Sequence, residues 1–169
     1  MNLSKLLKPD SNIKLDKKTF IILRWIAIVG QLITVNIVYF ILNFNFPFYL
    51  CCSIIFFGAI TNIFLQYKVK KNLLSDFSSS LYLLFDLLQL AILVFLTGGI
   101  TNPFVILLVV PAVVSSTFLS IKSTISLSLV TGISLLVLTI YYLPLPSPDS
   151  LHFHVPKYYL YGVPTATII

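Results

Sequence analysis

Charged residues are scarce in this chain, and their scarcity excludes a soluble globular core. Only 9% of the 169 residues are charged, and five acidic residues stand against eleven basic ones. Soluble domains carry about 25% charged residues, whereas 58% of this chain is hydrophobic and its mean hydropathy is +1.01. The apolar residues form unbroken runs instead of amphipathic periods. The composition therefore predicts an all-α membrane protein with several spans.

The net charge of +6 does not indicate a nucleic-acid partner. The basic residues lie in short segments beside apolar runs, where membrane topology and anionic lipid headgroups account for them. We therefore expect membrane lipid, and no nucleic acid, among the partners of this chain.

Cysteine and histidine are also rare, which argues against a disulfide framework and a metal site. The two cysteines, Cys51 and Cys52, are neighbours in an apolar run, and adjacent cysteines do not easily form an unstrained bridge. We interpret them as small buried apolar residues, with a redox pair as the alternative. The two histidines, His152 and His154, do not complete a zinc shell, so no metal is expected.

Five apolar runs are long enough to cross a bilayer, which needs about 20 apolar residues per helix. The sequence predicts a bundle of five transmembrane helices plus the start of a sixth, after an N-terminal tail at 1–19. The predicted spans are 20–42, 48–67, 81–97, 103–119 and 124–143, with a truncated run at 158–169. This last run is too short to cross, so we expect the sixth helix to be cut off by the end of a fragment. Pro111 is expected to kink the fourth span.

The distribution of lysine and arginine predicts the orientation of the spans. With the N-terminus in the cytoplasm, ten of the eleven basic residues lie inside and Lys157 lies outside, in agreement with the positive-inside rule. Trp25 beside Arg24 is then an aromatic anchor at the inner interface. This orientation places the turn after the third span, and the proline-rich loop after residue 143, on the outer side.

Two polar residues within the third span, Asp86 and Gln89, project from the same helix face. An ionisable group in a span is costly and is a candidate functional site, but polar residues in spans also hold helices together. Both interpretations of this pair stay open on sequence alone. Gln31 and Asn36 in the first span are expected to form hydrogen bonds between helices.

Asp86 also motivates a second class of function, a small multi-pass transporter or a respiratory-complex membrane subunit that uses this carboxylate. Transporters often contain repeated halves and broken helices, and the sequence contains no convincing internal repeat. A membrane enzyme would need clustered catalytic residues or metal ligands, which the sequence also lacks. No catalytic residue is therefore predicted.

Residues 96–104 contain the most distinctive local pattern of the chain, Leu-Thr-Gly-Gly-Ile-Thr-Asn-Pro-Phe. Gly98 and Gly99 allow the left-handed backbone that ends a helix, Asn102 is a strong N-cap, and Pro103 suits the first helical position. We expect open amides at this helix start, which attract an electron-rich oxygen, and a flat apolar surface at Phe104. A quinone has this chemistry, whereas the alternative is a plain tight turn.

The heptapeptide at 98–104 resembles the Gly-Gly-x-x-Asn-Pro-Phe motif of the RegB/PrrB group of bacterial redox-responsive sensor histidine kinases. The segments at 86–90, 110–112 and 23–31 are similar to the same group, so the resemblance extends from about residue 19 to residue 120. It is weaker beyond residue 120, and it implies the N-terminal transmembrane sensor domain of such a kinase.

The resemblance implies a module that signals the redox state of the respiratory chain, through ubiquinone, to a cytoplasmic kinase domain. It implies an inner-membrane homodimer, a response regulator as the partner of the kinase part, and kinase output that falls when the quinone is oxidised. The implied quinone-responsive positions are Gly98, Gly99, Asn102, Pro103 and Phe104. The phosphoaccepting histidine, the ATP-binding domain and the redox-active cysteine of the group have no matching segment in this chain, so we expect no phosphotransfer from it.

Overall fold

The computed structural model describes residues 16–68 and 73–143, and this part of the chain is helical apart from short connections and one isolated β-bridge. The α-helices are α1 (Lys17–Asn36), α2 (Phe48–Lys68), α3 (Asp76–Leu96), α4 (Val110–Phe118) and α5 (Ile121–Ile140). Helix α1 continues as a π-helix (Ile37–Ile41), and two 3-10 helices (Gly99–Thr101 and Pro103–Val109) precede α4. The all-α prediction is therefore confirmed for the described residues.

Each helix runs antiparallel to the preceding one, so the bundle has two ends of different chemistry. The starts of α1, α3 and α5 meet at one end, which also holds the described lysines and which we call the charged end. Here the Lys17 ammonium donates to the Gln66 carbonyl oxygen at 2.8 Å. The opposite, aromatic end contains a cluster of ring contacts among Tyr39, Phe40, Phe46, Phe48 and Tyr49.

Side-chain caps explain why three helices begin at the charged end. The side chains of Asp16, Ser75 and Ser120 each accept a hydrogen bond from the amide three residues further along, as good N-caps do. The Asp76 carboxylate also accepts from the Ser120 amide at 2.7 Å and from the hydroxyl groups of Ser120 and Ser123. The start of α3 is therefore tied to the start of α5.

Two of these helices begin before the spans predicted within them. The prediction begins the third span at residue 81 because the preceding residues are polar, but α3 begins at Asp76. Its polar first turn is stabilised by the Ser75 cap and by the contacts with Ser120 and Ser123, which a hydropathy pattern does not register. Helix α5 likewise begins at Ile121, three residues before the predicted boundary.

The fourth predicted span is the one whose membrane crossing is not confirmed. Within the described residues, four segments have the length and apolar composition to cross a membrane: Lys17–Ile41, Phe48–Lys68, Asp76–Leu96 and Ile121–Ile140. The apolar segment Pro103–Phe118 is shorter than these, so five transmembrane helices are not confirmed. The predicted N-terminal tail up to residue 15, the proline-rich loop and the run at 158–169 lie outside the described residues.

Pro111 explains the geometry of this shorter segment. Proline has no amide hydrogen, so the Leu107 carbonyl lacks its α-helical donor and accepts from the Val110 amide instead. The seven residues before Val110 form a 3-10 helix, which rises about 2.0 Å per residue against about 1.5 Å in an α-helix. With α4 the segment extends about 28 Å, close to the hydrocarbon thickness of about 30 Å. The change of helix type falls at Val110, directly before the proline at which the sequence predicts a kink.

Helix α3 lies at the centre of the bundle and presents two apolar faces. Leu93 and Leu96 on one face pack with α1 and α2, whereas Val94 on the other packs with the residues after the turn and with α5. Because α3 also carries Asp86 and ends at the glycine turn, it connects both groups of candidate residues.

Candidate ligand-sensing site

The glycine turn joins α3 to the following 3-10 helices at the aromatic end of the bundle. Gly98 (φ 111°) and Gly99 (φ 56°) both have left-handed backbone, which residues with a Cβ rarely adopt. The chain therefore leaves α3 within two residues, as the sequence predicts.

Gly99 has a second reason to lack a side chain. Tyr142, which follows α5, lies over it, and a Cβ built at Gly99 would overlap the Cβ and the ring of Tyr142. The Leu143 amide donates to the Phe95 carbonyl oxygen at 3.0 Å, which holds the same segment against the end of α3. Both glycines of the turn are buried, so they shape the site and do not form its surface. Sequence reasoning missed Tyr142, and no local signal in the sequence pointed to it.

Asn102 ties the two sides of the turn together. Its Oδ1 accepts from the Phe104 amide at 2.9 Å, which is the predicted N-cap. Its Nδ2 donates to the Thr97 hydroxyl oxygen at 2.7 Å and to the Thr97 carbonyl oxygen at 3.1 Å. The side chain therefore fixes the end of α3 to the start of the 3-10 helix, and Pro103 takes the first position after the cap.

The expectation of open backbone amides at this turn is wrong for four of them. The amides of Thr101, Asn102, Phe104 and Val105 donate to acceptors within the turn. A 3-10 helix closes its hydrogen bonds over one residue fewer than an α-helix, which leaves fewer amides unpaired. The exposed part of the heptapeptide is therefore Pro103 together with Phe104, which is 41% exposed.

An apolar groove of about 240 Å³ runs along the bundle between α3 and α5. It is lined by Leu88, Ala91, Ile92 and Phe95 of α3 and by Ile133, Ser134, Val137 and Leu138 of α5. Phe95 lies one helical turn before Gly99, so the groove leads to the glycine turn. Its apolar lining fits an alkyl or isoprenoid chain.

A second group of polar residues, which we call the polar cluster, connects α1, α2 and α3. Arg24 Nε donates to Asp86 Oδ2 at 2.8 Å and Arg24 Nη2 donates to Oδ1 at 2.7 Å, which makes a bidentate ion pair. The same guanidinium donates to Thr61 Oγ1 at 2.9 Å and to Asn62 Oδ1 at 3.4 Å. It also lies 5.2 Å from the ring centre of Tyr82, within the range of a cation–π contact.

Arg24 is the residue of this cluster that sequence reasoning missed, because it was placed with Trp25 at the inner interface. The side chain is 3% exposed and turns inward from α1. The sequence did contain an indication of this pairing, since Arg24 and Asp86 are the only charged residues of their predicted spans. Opposite charges in two spans neutralise each other by pairing, which is the usual arrangement of ionisable groups in membranes.

Gln89 confirms the prediction of polar contacts between helices. Its Nε2 donates to Gln31 Oε1 on α1 at 3.0 Å. Gly58 on α2 makes room for the Gln89 side chain, because a Cβ at Gly58 would overlap the Gln89 amide group. Asn36 does not join two helices as predicted. It donates to the Leu32 carbonyl oxygen of its own helix at 2.7 Å, which satisfies the amide locally.

The cysteines of α2 are both free thiols, and Cys51 is buried among apolar side chains. Among the described residues, no three histidine, cysteine or acidic side chains are grouped so that they could hold a metal ion. His152 and His154 lie outside the described residues.

These features define a helical membrane protein with several spans, an internal ion pair and a rigidly capped turn. The chain is 36% identical over 154 residues to the sensor histidine kinase RegB of Cereibacter sphaeroides, a match that covers 90% of this chain and 33% of RegB. A RegB sequence from a named strain of the same organism is 34% identical over 75 residues, or 44% of this chain and 16% of that protein. No family model and no solved structure matches the chain.

The resemblance predicted from the heptapeptide is thereby confirmed. The chain is similar to RegB over nine tenths of its own length, and it spans about one third of the length of that relative. The similarity therefore identifies a RegB-like region, and it does not extend to a whole sensor kinase.

We expect Arg24→Leu alone to lower the free energy of unfolding by about 3–5 kcal/mol, because it leaves the Asp86 carboxylate without its counter-charge inside the bundle. The double variant Arg24→Leu/Asp86→Leu should recover most of this loss, since neither charge is then present. Steric trapping in bicelles measures both values. Strictly additive effects of the two single substitutions would contradict the ion pair.

We expect Gly99→Ala to lower the melting temperature in detergent, because left-handed backbone costs a residue with a Cβ about 1–2 kcal/mol and Tyr142 must also move. Gly132→Ala is the matched control: nothing lies within 4 Å of a Cβ at Gly132, and alanine favours the helix. Adding Tyr142→Ala should restore part of the loss caused by Gly99→Ala. Equal melting temperatures for the two alanine variants would show that Gly99 is not constrained.

Proposed function

We propose that this chain is the membrane-embedded input module of a two-component sensor histidine kinase in the bacterial inner membrane. The identity of 36% to RegB over 90% of the chain carries this proposal, and the four apolar helices of membrane-spanning length support it. In this proposal the kinase part acts on a cognate response regulator, and the module works as a homodimer.

We infer further that the sensed ligand is a quinone, ubiquinone by resemblance to the RegB/PrrB group, and that the module reports its redox state. Of the five positions implied by the resemblance, Gly98, Gly99 and Asn102 build the turn, whereas Pro103 and Phe104 offer the exposed surface. A quinone ring would lie on Phe104, with its isoprenoid tail in lipid or in the groove between α3 and α5.

The turn has two mechanical connections through which a bound ring could act. Asn102 links the end of α3 to the 3-10 helix, and Tyr142 over Gly99 links the turn to the segment after α5. A ligand shifts an equilibrium between two arrangements only by its difference in affinity for them. The oxidised and reduced ligands must therefore favour different arrangements of these two connections.

The same proposal places the charged end in the cytoplasm and the glycine turn outside. All lysines of the described residues lie at the charged end, and the positive-inside rule assigns such an end to the cytoplasm. The interaction of Asp86 with Arg24 gives this carboxylate a structural role, so the alternative of a transporter or respiratory subunit gains no support from it.

Cysteine labelling tests this orientation. With Cys51 and Cys52 replaced by serine, we expect Asn45→Cys at the aromatic end to react with a membrane-impermeant maleimide in intact spheroplasts. Lys122→Cys at the charged end should react only after permeabilisation, because the reagent cannot reach the cytoplasm. The reverse labelling pattern would overturn the orientation and place the turn inside.

A chimera tests the function and the site together. This chain replaces the aligned third of Cereibacter sphaeroides RegB, and autophosphorylation is measured in proteoliposomes that contain oxidised or reduced ubiquinone. We expect lower activity with the oxidised form, and Phe104→Leu should reduce this difference about fivefold, because loss of one aromatic stacking contact is worth roughly 1 kcal/mol.

Phe77→Leu is the matched control, since Phe77 is 78% exposed but lies at the charged end of α3. The same response in the Phe104 and Phe77 variants would remove the site assignment. An active chimera that does not respond to either quinone form would remove the redox function itself.

A further inference from the structure

Asp86 keeps hydrogen-bonding capacity that its ion pair does not use. Its Oδ1 accepts two bonds from Arg24, at 2.7 Å and 3.1 Å, whereas Oδ2 accepts one at 2.8 Å. An ionised carboxylate offers about four acceptor positions, two on each oxygen. Within 16–68 and 73–143, Arg24 is the one partner recorded for this carboxylate, so Oδ2 retains an acceptor position.

The Asp86 carboxylate lies deep within the bundle and is partly exposed. Asp86 is ten residues from either end of α3, which places it about 15 Å from each. Its side chain is 27% exposed, against 3% for Arg24. The carboxylate is therefore the more exposed member of the ion pair.

The surroundings of the carboxylate suit an aromatic or aliphatic molecule. Tyr82 and Leu90 lie one helical turn on either side of Asp86, on the same face of α3, and both are half-buried. At the centre of a bilayer there is no bulk water to fill an open acceptor, and a polar group left unpaired there is costly. A ligand from the lipid phase that carries a donor would remove this cost.

We propose that Asp86 accepts a hydrogen bond from a hydroxyl group of a membrane-dissolved quinol, and so favours the reduced form of the ligand over the oxidised form. The carboxylate is an acceptor without a donor, and a quinone carbonyl is also an acceptor, so the oxidised form gains no bond here. The bidentate contact makes Arg24 the positioning residue that fixes the orientation of the carboxylate.

This site is separate from the glycine turn. Gly98 follows Asp86 by twelve residues, which is about 18 Å along a helix, so a ring that lies on Phe104 does not contact Asp86. The inference shares with the proposed function only the class of ligand, and the two can fail independently.

The test is the affinity of the protein in nanodiscs for decylubiquinol and for decylubiquinone. We expect Asp86→Asn to weaken quinol binding about tenfold, the effect of losing one hydrogen bond to a charged group, and to leave quinone binding unchanged. Phe77→Leu at the charged end is the control, which should keep the preference of this site for quinol. An unchanged ratio of the two affinities in Asp86→Asn would overturn the proposal.

Infrared difference spectroscopy on the unaltered protein, labelled with 13C at the aspartate carboxyl groups, does not depend on the folding of a variant. Quinol should shift a carboxylate stretch that quinone leaves in place. That shift should be absent from the charge-free double variant Arg24→Leu/Asp86→Leu. No carboxylate shift with quinol, or the same shift in the double variant, would exclude Asp86 as the acceptor.

Discussion

The ion pair between Arg24 and Asp86 is the interaction on which the rest of the bundle depends. In an apolar solvent neither charge has an alternative partner, so α1 and α3 must keep the depth and the rotation that bring the guanidinium to the carboxylate. Thr61 and Asn62 add α2 to the same arrangement. Apolar contacts alone would leave these three helices free to slide, since lipid is as good a partner for leucine as another helix.

The glycine turn, at the end of α3, is constrained by backbone conformation and local hydrogen bonds instead of by charge. Left-handed backbone at Gly98 and Gly99 sets the direction of the chain, and Asn102 uses its amide group on both sides of the turn. Pro111 then removes an α-helical donor, so the segment before it winds more tightly and reaches further per residue. The turn is therefore a rigid corner, and its exposed chemistry is concentrated in the Pro103–Phe104 pair.

Some residues of the heptapeptide build the turn, and others form its exposed surface, so substitutions at the two kinds of position test different things. Its glycines and its asparagine are needed to build the corner, so their substitution would disturb any function of the turn. Phe104 is the position that separates binding from folding, because its ring faces outward. The similarity to RegB is the reason for interpreting these residues as part of a sensor. Asp86, halfway along α3, adds an ion pair with Arg24 of α1.

The sequence by itself determined the apolar helices, the left-handed glycines, the Asn102 cap and the resemblance to RegB, because these follow from composition, backbone preference and local spacing. It misplaced the start of α3, because tertiary contacts of Asp76 stabilise a polar first turn. Only the tertiary structure decided that Arg24 meets Asp86 and that Tyr142 covers Gly99. Such contacts join residues distant in the chain, and hydropathy and spacing carry no record of which faces of two helices meet.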